Sequence, residues 1–98
     1  MQIQKKSDGD KLLLEVSGRV DTTTAPELES CINESTKGVK ELVLDLKDMA
    51  YISSAGLRVM LKAHKLMSAQ GSLIIKNVQS DVMEVFEMTG FSDILRFE

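Results

Sequence analysis

Leu42-Val43-Leu44-Asp45-Leu46, followed after a few residues by Tyr51-Ile52-Ser53-Ser54-Ala55-Gly56-Leu57, joins a strand-like apolar run to a strongly periodic helix. The first segment is apolar almost without interruption, the pattern of a central parallel strand covered by helices on both faces. In the helix, Leu57, Val59, Met60, Leu61, Ala63, Leu66 and Met67 span about 220° of a wheel drawn at 100° per residue, and Arg58, Lys62 and Lys65 occupy the remainder. A buried strand turning into a helix buried on so wide an arc indicates an α/β fold. The corner between them carries two hydroxyls, and a helix start directs backbone N–H groups and the positive end of the helix dipole at whatever sits there. Ser53 and Ser54 are therefore set to hold an anion, phosphate above all. The plainer reading is an N-cap, in which a serine oxygen satisfies one free backbone N–H.

Toward the N-terminus, Met1–Lys6 alternates weakly, as an edge strand does, and Ser7-Asp8-Gly9-Asp10 supplies a turn. Leu12, Leu14 and Val16 alternate with Leu13, Glu15 and Ser17, which predicts a second strand antiparallel to the first. Gly18-Arg19-Val20-Asp21 leaves that strand. Thr24-Ala25-Pro26-Glu27 matches a capping box, with Thr24 as cap, and Leu28, Cys31, Ile32 and Ser35 share one helical stripe until Gly38. Toward the C-terminus, Gly71 ends the long helix and Leu73-Ile74-Ile75 reads as a central strand. Ser80 is placed to cap a third helix, with Val82, Val85, Phe86 and Thr89 on one face and Gly90-Phe91 as its stop. Ile94-Leu95-Arg96-Phe97 reads as a closing strand. The predicted order is β-β-α-β-α-β-α-β, a hairpin followed by crossover units in a mixed, mostly parallel sheet.

Ninety-eight residues suffice for one core, so residues 1–98 are expected to form a single domain. One cysteine excludes an internal disulfide framework, and Cys31, on the helical stripe, reads as a buried thiol. Neither a signal peptide nor a run of about 18 apolar residues is present, which predicts a soluble cytoplasmic protein without membrane contact. A net charge of −3 and four aromatic residues argue against direct nucleic-acid binding, since they supply neither a cationic field nor a stacking platform. One His and one Cys cannot build a soft metal site, and the carboxylates lack calcium-loop spacing. No cofactor is expected. No phosphate-binding glycine loop or nucleophile elbow occurs, and His64 stands ten residues from Ser54, which points away from an enzyme.

Val43-Leu44-Asp45-Leu46 with Ser53-Ser54-Ala55-Gly56-Leu57 resembles the signature of the STAS domain, the family of bacterial anti-sigma-factor antagonists. Gly18-Arg19-Val20-Asp21 resembles its G-x-[LIV]-D segment, and Met88-Thr89-Gly90-Phe91 its M-x-G-[LF] helix ending. The resemblance implies a STAS-like mixed sheet and a serine phosphorylated by a partner kinase, which falls on Ser54. Family members often carry Asp immediately before that serine; here Ser53 removes a charge and adds a rival hydroxyl. The family's acid near the phosphorylation site falls on Asp21, and the partner surface is expected at Asp21, Ser53, Ala55 and Gly56. Arg58 and Lys62 read either as its basic rim or as a plain solvated face. The implied partners are an anti-sigma serine kinase of the histidine-kinase-like ATPase fold and a metal-dependent serine phosphatase. The alternative is a STAS module that docks or scaffolds without being phosphorylated. The family's usual last helix has no counterpart before Glu98. A response-regulator receiver is a poorer match, because Asp45 lies inside its strand and Asp8 and Asp10 in a hairpin turn.

Overall fold

β1 (Gln2–Asp8) and β2 (Lys11–Val20) form the expected antiparallel hairpin in a computed structural model that describes residues Met1 to Glu98. Strict alternation along β2 buries Leu12, Leu14 and Val16 on one face. After α1 (Ala25–Ser35), β3 (Glu41–Asp45) runs parallel to the first half of β2, with Leu12 opposite Leu42 and Leu14 opposite Leu44. β5 (Ser72–Lys76) continues the parallel set beside β3, giving the order β1-β2-β3-β5. Helix α2 (Ser54–Ser68) buries Leu57, Val59, Met60, Ala63 and Met67, and α3 (Ser80–Met88) buries Val82 and Phe86. These side chains and the inner faces of the strands make one continuous core of 23 buried residues. The architecture is the mixed α/β sheet that the sequence predicts.

Several local features differ. Residues Met49–Ile52 form a further strand, β4, parallel to the last residues of β2, with Gly18 opposite Met49, Arg19 opposite Tyr51 and Val20 opposite Ile52. The register shifts between Gly18 and Arg19, and Gly18 takes φ +84°, a conformation open to glycine at no steric cost. That bulge lets one long strand serve two partners, β3 along its first half and β4 at its end.

The closing strand is not formed. Gly90 enters the left-handed region, Phe91–Asp93 makes a 3₁₀ turn, and the N–H groups of Ile94 and Leu95 both donate to the Phe91 carbonyl, at 3.1 and 2.9 Å. With the N–H groups of Ile94 and Leu95 used in this turn, the tail reaches the sheet only at a single bridge from Phe97 to Ile75. Phe97 is fixed by its ring, which meets buried Phe86 edge-to-face at 5.1 Å between centroids.

Nor is β3 covered on both faces. Leu42 and Leu44 are buried, but Val43, with Leu13 and Ile74 beside it in register, is half-buried on the outer side of the sheet. Ser80 is the first residue of α3 rather than its cap, a place taken by Gln79 without a side-chain bond. Thr89 is exposed and returns its hydroxyl to the Val85 carbonyl at 2.8 Å. Cys31 is half-buried, 3.9 Å from the Ser35 hydroxyl.

Candidate functional site

The corner is built from backbone first. Ser53 leaves β4 in extended conformation, φ −95° and ψ 177°, and its N–H donates to the Val20 carbonyl at 2.8 Å, which pins it to the end of β2. Its Oγ then accepts the Gly56 N–H at 3.4 Å, and its carbonyl accepts the Leu57 N–H at 2.9 Å. Ser53 is thus the N-cap of α2. Ser54, which the sequence leaves as an equal claimant to the cap, is the first helical residue instead, exposed and with no hydroxyl bond to the chain. The two hydroxyls have separate situations: one turned into the helix start, the other facing solvent.

Gly56 makes the close approach possible. A Cβ at this position would stand 2.7 Å from Ile52 Cγ1, 2.9 Å from Val20 Cγ1 and 3.2 Å from the Val20 carbonyl oxygen. The first turn of α2 rests directly on the ends of β2 and β4 because this residue has no side chain.

Asp21 follows Val20 and closes the other side of the corner. Its Oδ1 accepts the N–H groups of Thr23 and Thr24 at 3.0 and 3.1 Å, while the Asp21 N–H donates to Thr24 Oγ1 at 2.9 Å. This is a reciprocal box one turn earlier than the expected one from Thr24 to Glu27, and Thr24 makes no side-chain cap bond into α1. Asp21 wins because its carboxylate reaches two N–H groups at once, and the Ala25 N–H bonds back to the Asp21 carbonyl at 2.8 Å. The Thr24 N–H holds the carboxyl below its ordinary range, helped by the Thr23 N–H, the Thr24 hydroxyl and Arg19, against an opposing desolvation.

The starts of α1 and α2 line a shared groove of about 330 Å³, formed by Thr22, Ala25, Pro26, Glu29, Ser30, Ala55, Arg58, Val59 and Lys62. Lys62 Nζ crosses it to Glu29 Oε1 at 3.2 Å, so this lysine is already paired. Arg58, one turn beyond Ser54, is exposed and in no ion pair within the chain. Asp21, Ser53, Ser54, Ala55 and Gly56 meet where β2 and β4 lead into α1 and α2, while Arg58 and Lys62 continue one and two turns along α2 on the groove side. His64 is half-buried, ten residues along α2 from Ser54 and about 15 Å away along the axis. The Arg19 guanidinium lies 4.2 Å over the Tyr51 ring. Nothing in the sequence periodicity pairs these two residues, since their contact depends on β4.

A five-stranded mixed sheet with a hydroxyl-bearing corner where β4 enters α2 defines the class, and the chain belongs to the STAS-domain family, whose model matches residues 2–98. It is 42% identical to BtrV of Bordetella bronchiseptica over 91 residues, which cover 91% of this chain and 78% of that protein. Identity to the anti-sigma-B factor antagonist of Listeria monocytogenes is 33%, covering 96% of this chain and 84% of the relative. The fold is shared with SpoIIAA, solved in unphosphorylated and phosphorylated forms, with TM-scores of 0.78 and 0.77 at 15% identity. These matches cover 99% of this chain and 87% and 91% of those chains. No helix is long and apolar enough to cross a membrane.

Proposed function

We infer that this chain is an anti-sigma-factor antagonist that works by partner switching. Unphosphorylated, it binds an anti-sigma serine kinase of the histidine-kinase-like ATPase fold and so frees a sigma factor. Phosphorylation of Ser54 by that kinase releases the complex, and a metal-dependent serine phosphatase resets it. The observation that carries the choice of acceptor is the division of labour at the corner: Ser53 Oγ is used as the cap, whereas Ser54 Oγ is exposed and free. A relative is an anti-sigma-B factor antagonist, and a protein of the same fold has a phosphorylated form, which supports the class of mechanism.

The switch is electrostatic. A phosphate adds about −1.5 to −2 charge at pH 7. At the first residue of α2 it meets free helix N–H groups, so the fold tolerates it, and Arg58 stands at the i+4 position. A partner docked over the corner must instead accommodate this charge and its hydration beside the ionised Asp21, which opposes rebinding.

Incubation with the kinase and ATP, followed by intact-mass measurement, tests the reading. One added phosphate is expected on the parent and none on Ser54→Ala, which should hold the kinase persistently. Ser54→Asp should bind worse while remaining folded. A parent that binds the kinase but gains no phosphate under turnover conditions would establish the docking or scaffolding role instead.

A further inference from the structure

Arg19 and Tyr51 face each other across the short parallel ladder between β2 and β4. Val20 and Ile52, the next pair along, are buried, so strand alternation puts Arg19 and Tyr51 on the outer face of the ladder. Both stay accessible despite the stack, with 63% of the Arg19 side chain and 41% of Tyr51 exposed. The nearest carboxylate is that of Asp21, whose Oδ2 comes no closer to Arg19 Nε than 3.9 Å, outside hydrogen-bond range. Its Oδ1 is occupied by Thr23 and Thr24. Arg19 thus keeps a loose ion pair with Asp21 through Nε, while its terminal amino groups make no hydrogen bond within the chain.

An arginine held over an aromatic ring has surrendered part of its rotamer freedom before any partner arrives, so less is lost on binding. The exposed amino edge of a guanidinium matches a carboxylate in bidentate geometry. Arginine and tyrosine are also the side chain types that concentrate binding energy at protein interfaces.

We propose that Arg19 and Tyr51 form a specificity-determining contact of the partner surface, one that receives an aspartate or glutamate side chain of the kinase. The contact rests on the function inferred above. Two residues separate Tyr51 from Ser54 in the chain, and Arg19 lies two positions before Asp21, so the pair is continuous with the corner. Asp21 presents a negative charge and Arg19 a positive one, an alternation that fixes the register of a docked partner and rejects wrong ones. After phosphorylation, the carboxylate seated on Arg19 shares the surface with a phosphate of like charge. The same contact then favours release.

The experiment measures binding of the purified kinase, loaded with a non-hydrolysable ATP analogue, to the full chain and its variants. Arg19→Ala should weaken binding about tenfold or more at low salt, with much of the effect gone at high salt. Arg19→Lys should recover only part of the loss, because it keeps the charge but not the fork. Tyr51→Phe should bind as the parent does. Tyr51→Ala should weaken binding, and the double variant Arg19→Ala/Tyr51→Ala should be no worse than Arg19→Ala, the mark of two residues acting as a unit. Melting temperatures should be close to the parental value throughout.

Arg19→Ala binding within about twofold of the parent, while Ser54→Asp is still released, overturns the contact and leaves the switch standing. Binding losses that merely follow falls in melting temperature, and add in the double variant, reduce the pair to a cross-strand prop and overturn it too. A parent that neither binds the kinase nor accepts phosphate sinks the functional reading, and the contact with it.

Discussion

Replacing Gly56 with alanine puts a methyl group into space already filled by the ends of two strands. The new Cβ would lie 2.7 Å from Ile52 Cγ1 and 2.9 Å from Val20 Cγ1. Carbon atoms settle at about 3.5–4.0 Å, so the shortfall is roughly 0.8 Å on the first contact. Neither neighbour can swing clear, because Ile52 and Val20 are 3% and 0% exposed. The third obstruction, the Val20 carbonyl oxygen at 3.2 Å, is backbone and also accepts the Ser53 N–H. Overpacking of this kind costs roughly 1–3 kcal/mol, and a buried pair plus a backbone atom place this case near the top of that range. Alanine regains about 1 kcal/mol of helix propensity over glycine. The expected net loss is about 2 kcal/mol, a shift of about 1 M in the urea midpoint of a small domain. Because α2 must lift away from β2 and β4, Ser54 moves with it, and phosphate incorporation by the kinase should slow as well. Urea unfolding monitored by circular dichroism, paired with intact-mass phosphorylation kinetics, reads both effects. A Gly56→Ala variant more stable than the parent, and phosphorylated at the parental rate, would refute the close packing at this corner.

Ser53→Ala should cost about 1 kcal/mol through loss of the cap and still accept one phosphate, whereas Ser54→Ala should change stability by less than about 0.5 kcal/mol and accept none; melting curves and intact mass separate them. Asp21 has a folded-state pKa below its unfolded value, so its contribution to stability is complete above the unfolded pKa and is lost as pH falls through the folded one. Asp21→Asn keeps a capping oxygen without the titration, and its stability should therefore fall less steeply than the parent's on acidification from pH 5 toward pH 2. Arg58→Glu should slow association with the kinase at low salt and lose that effect at high salt, as stopped-flow mixing would show. Arg58 is the cleaner probe of the basic rim, because changing Lys62 also breaks its pair with Glu29.

The parts of this fold legible in the sequence are those with a sustained period. β2 alternates from Leu12 to Ser17 and α2 keeps one apolar arc from Leu57 to Met67, so tertiary packing and local pattern agree there. β4 has no such signal: its four residues run buried, exposed, exposed, buried, which fits neither period. Ile94-Leu95-Arg96-Phe97 has a strand's composition, but the preceding turn takes the N–H groups of Ile94 and Leu95, and composition does not report that. At the corner, the sequence points to the place but not to the partition of roles. Asp21 to Thr24 and Thr24 to Glu27 are overlapping boxes, and Ser53 and Ser54 are adjacent hydroxyls, so a shift of one residue or one turn changes which atom caps. Backbone position decides both cases: the Val20 carbonyl fixes Ser53, and the Asp21 carboxylate faces two N–H groups. The Arg19–Tyr51 stack lay beyond sequence reading for the same reason as β4, on which it depends.

The division of β2 between two partners also sets where the molecule breathes. β3 is paired to β2 at five positions and on its other side to β5, whereas β4 is held to β2 at three, beyond a bulge. β4 is held by fewer ladder positions than β3, so this segment should open at a smaller free energy than the central sheet. Its amide protons should exchange with solvent ahead of those between β2 and β3, as hydrogen-exchange measurements would show.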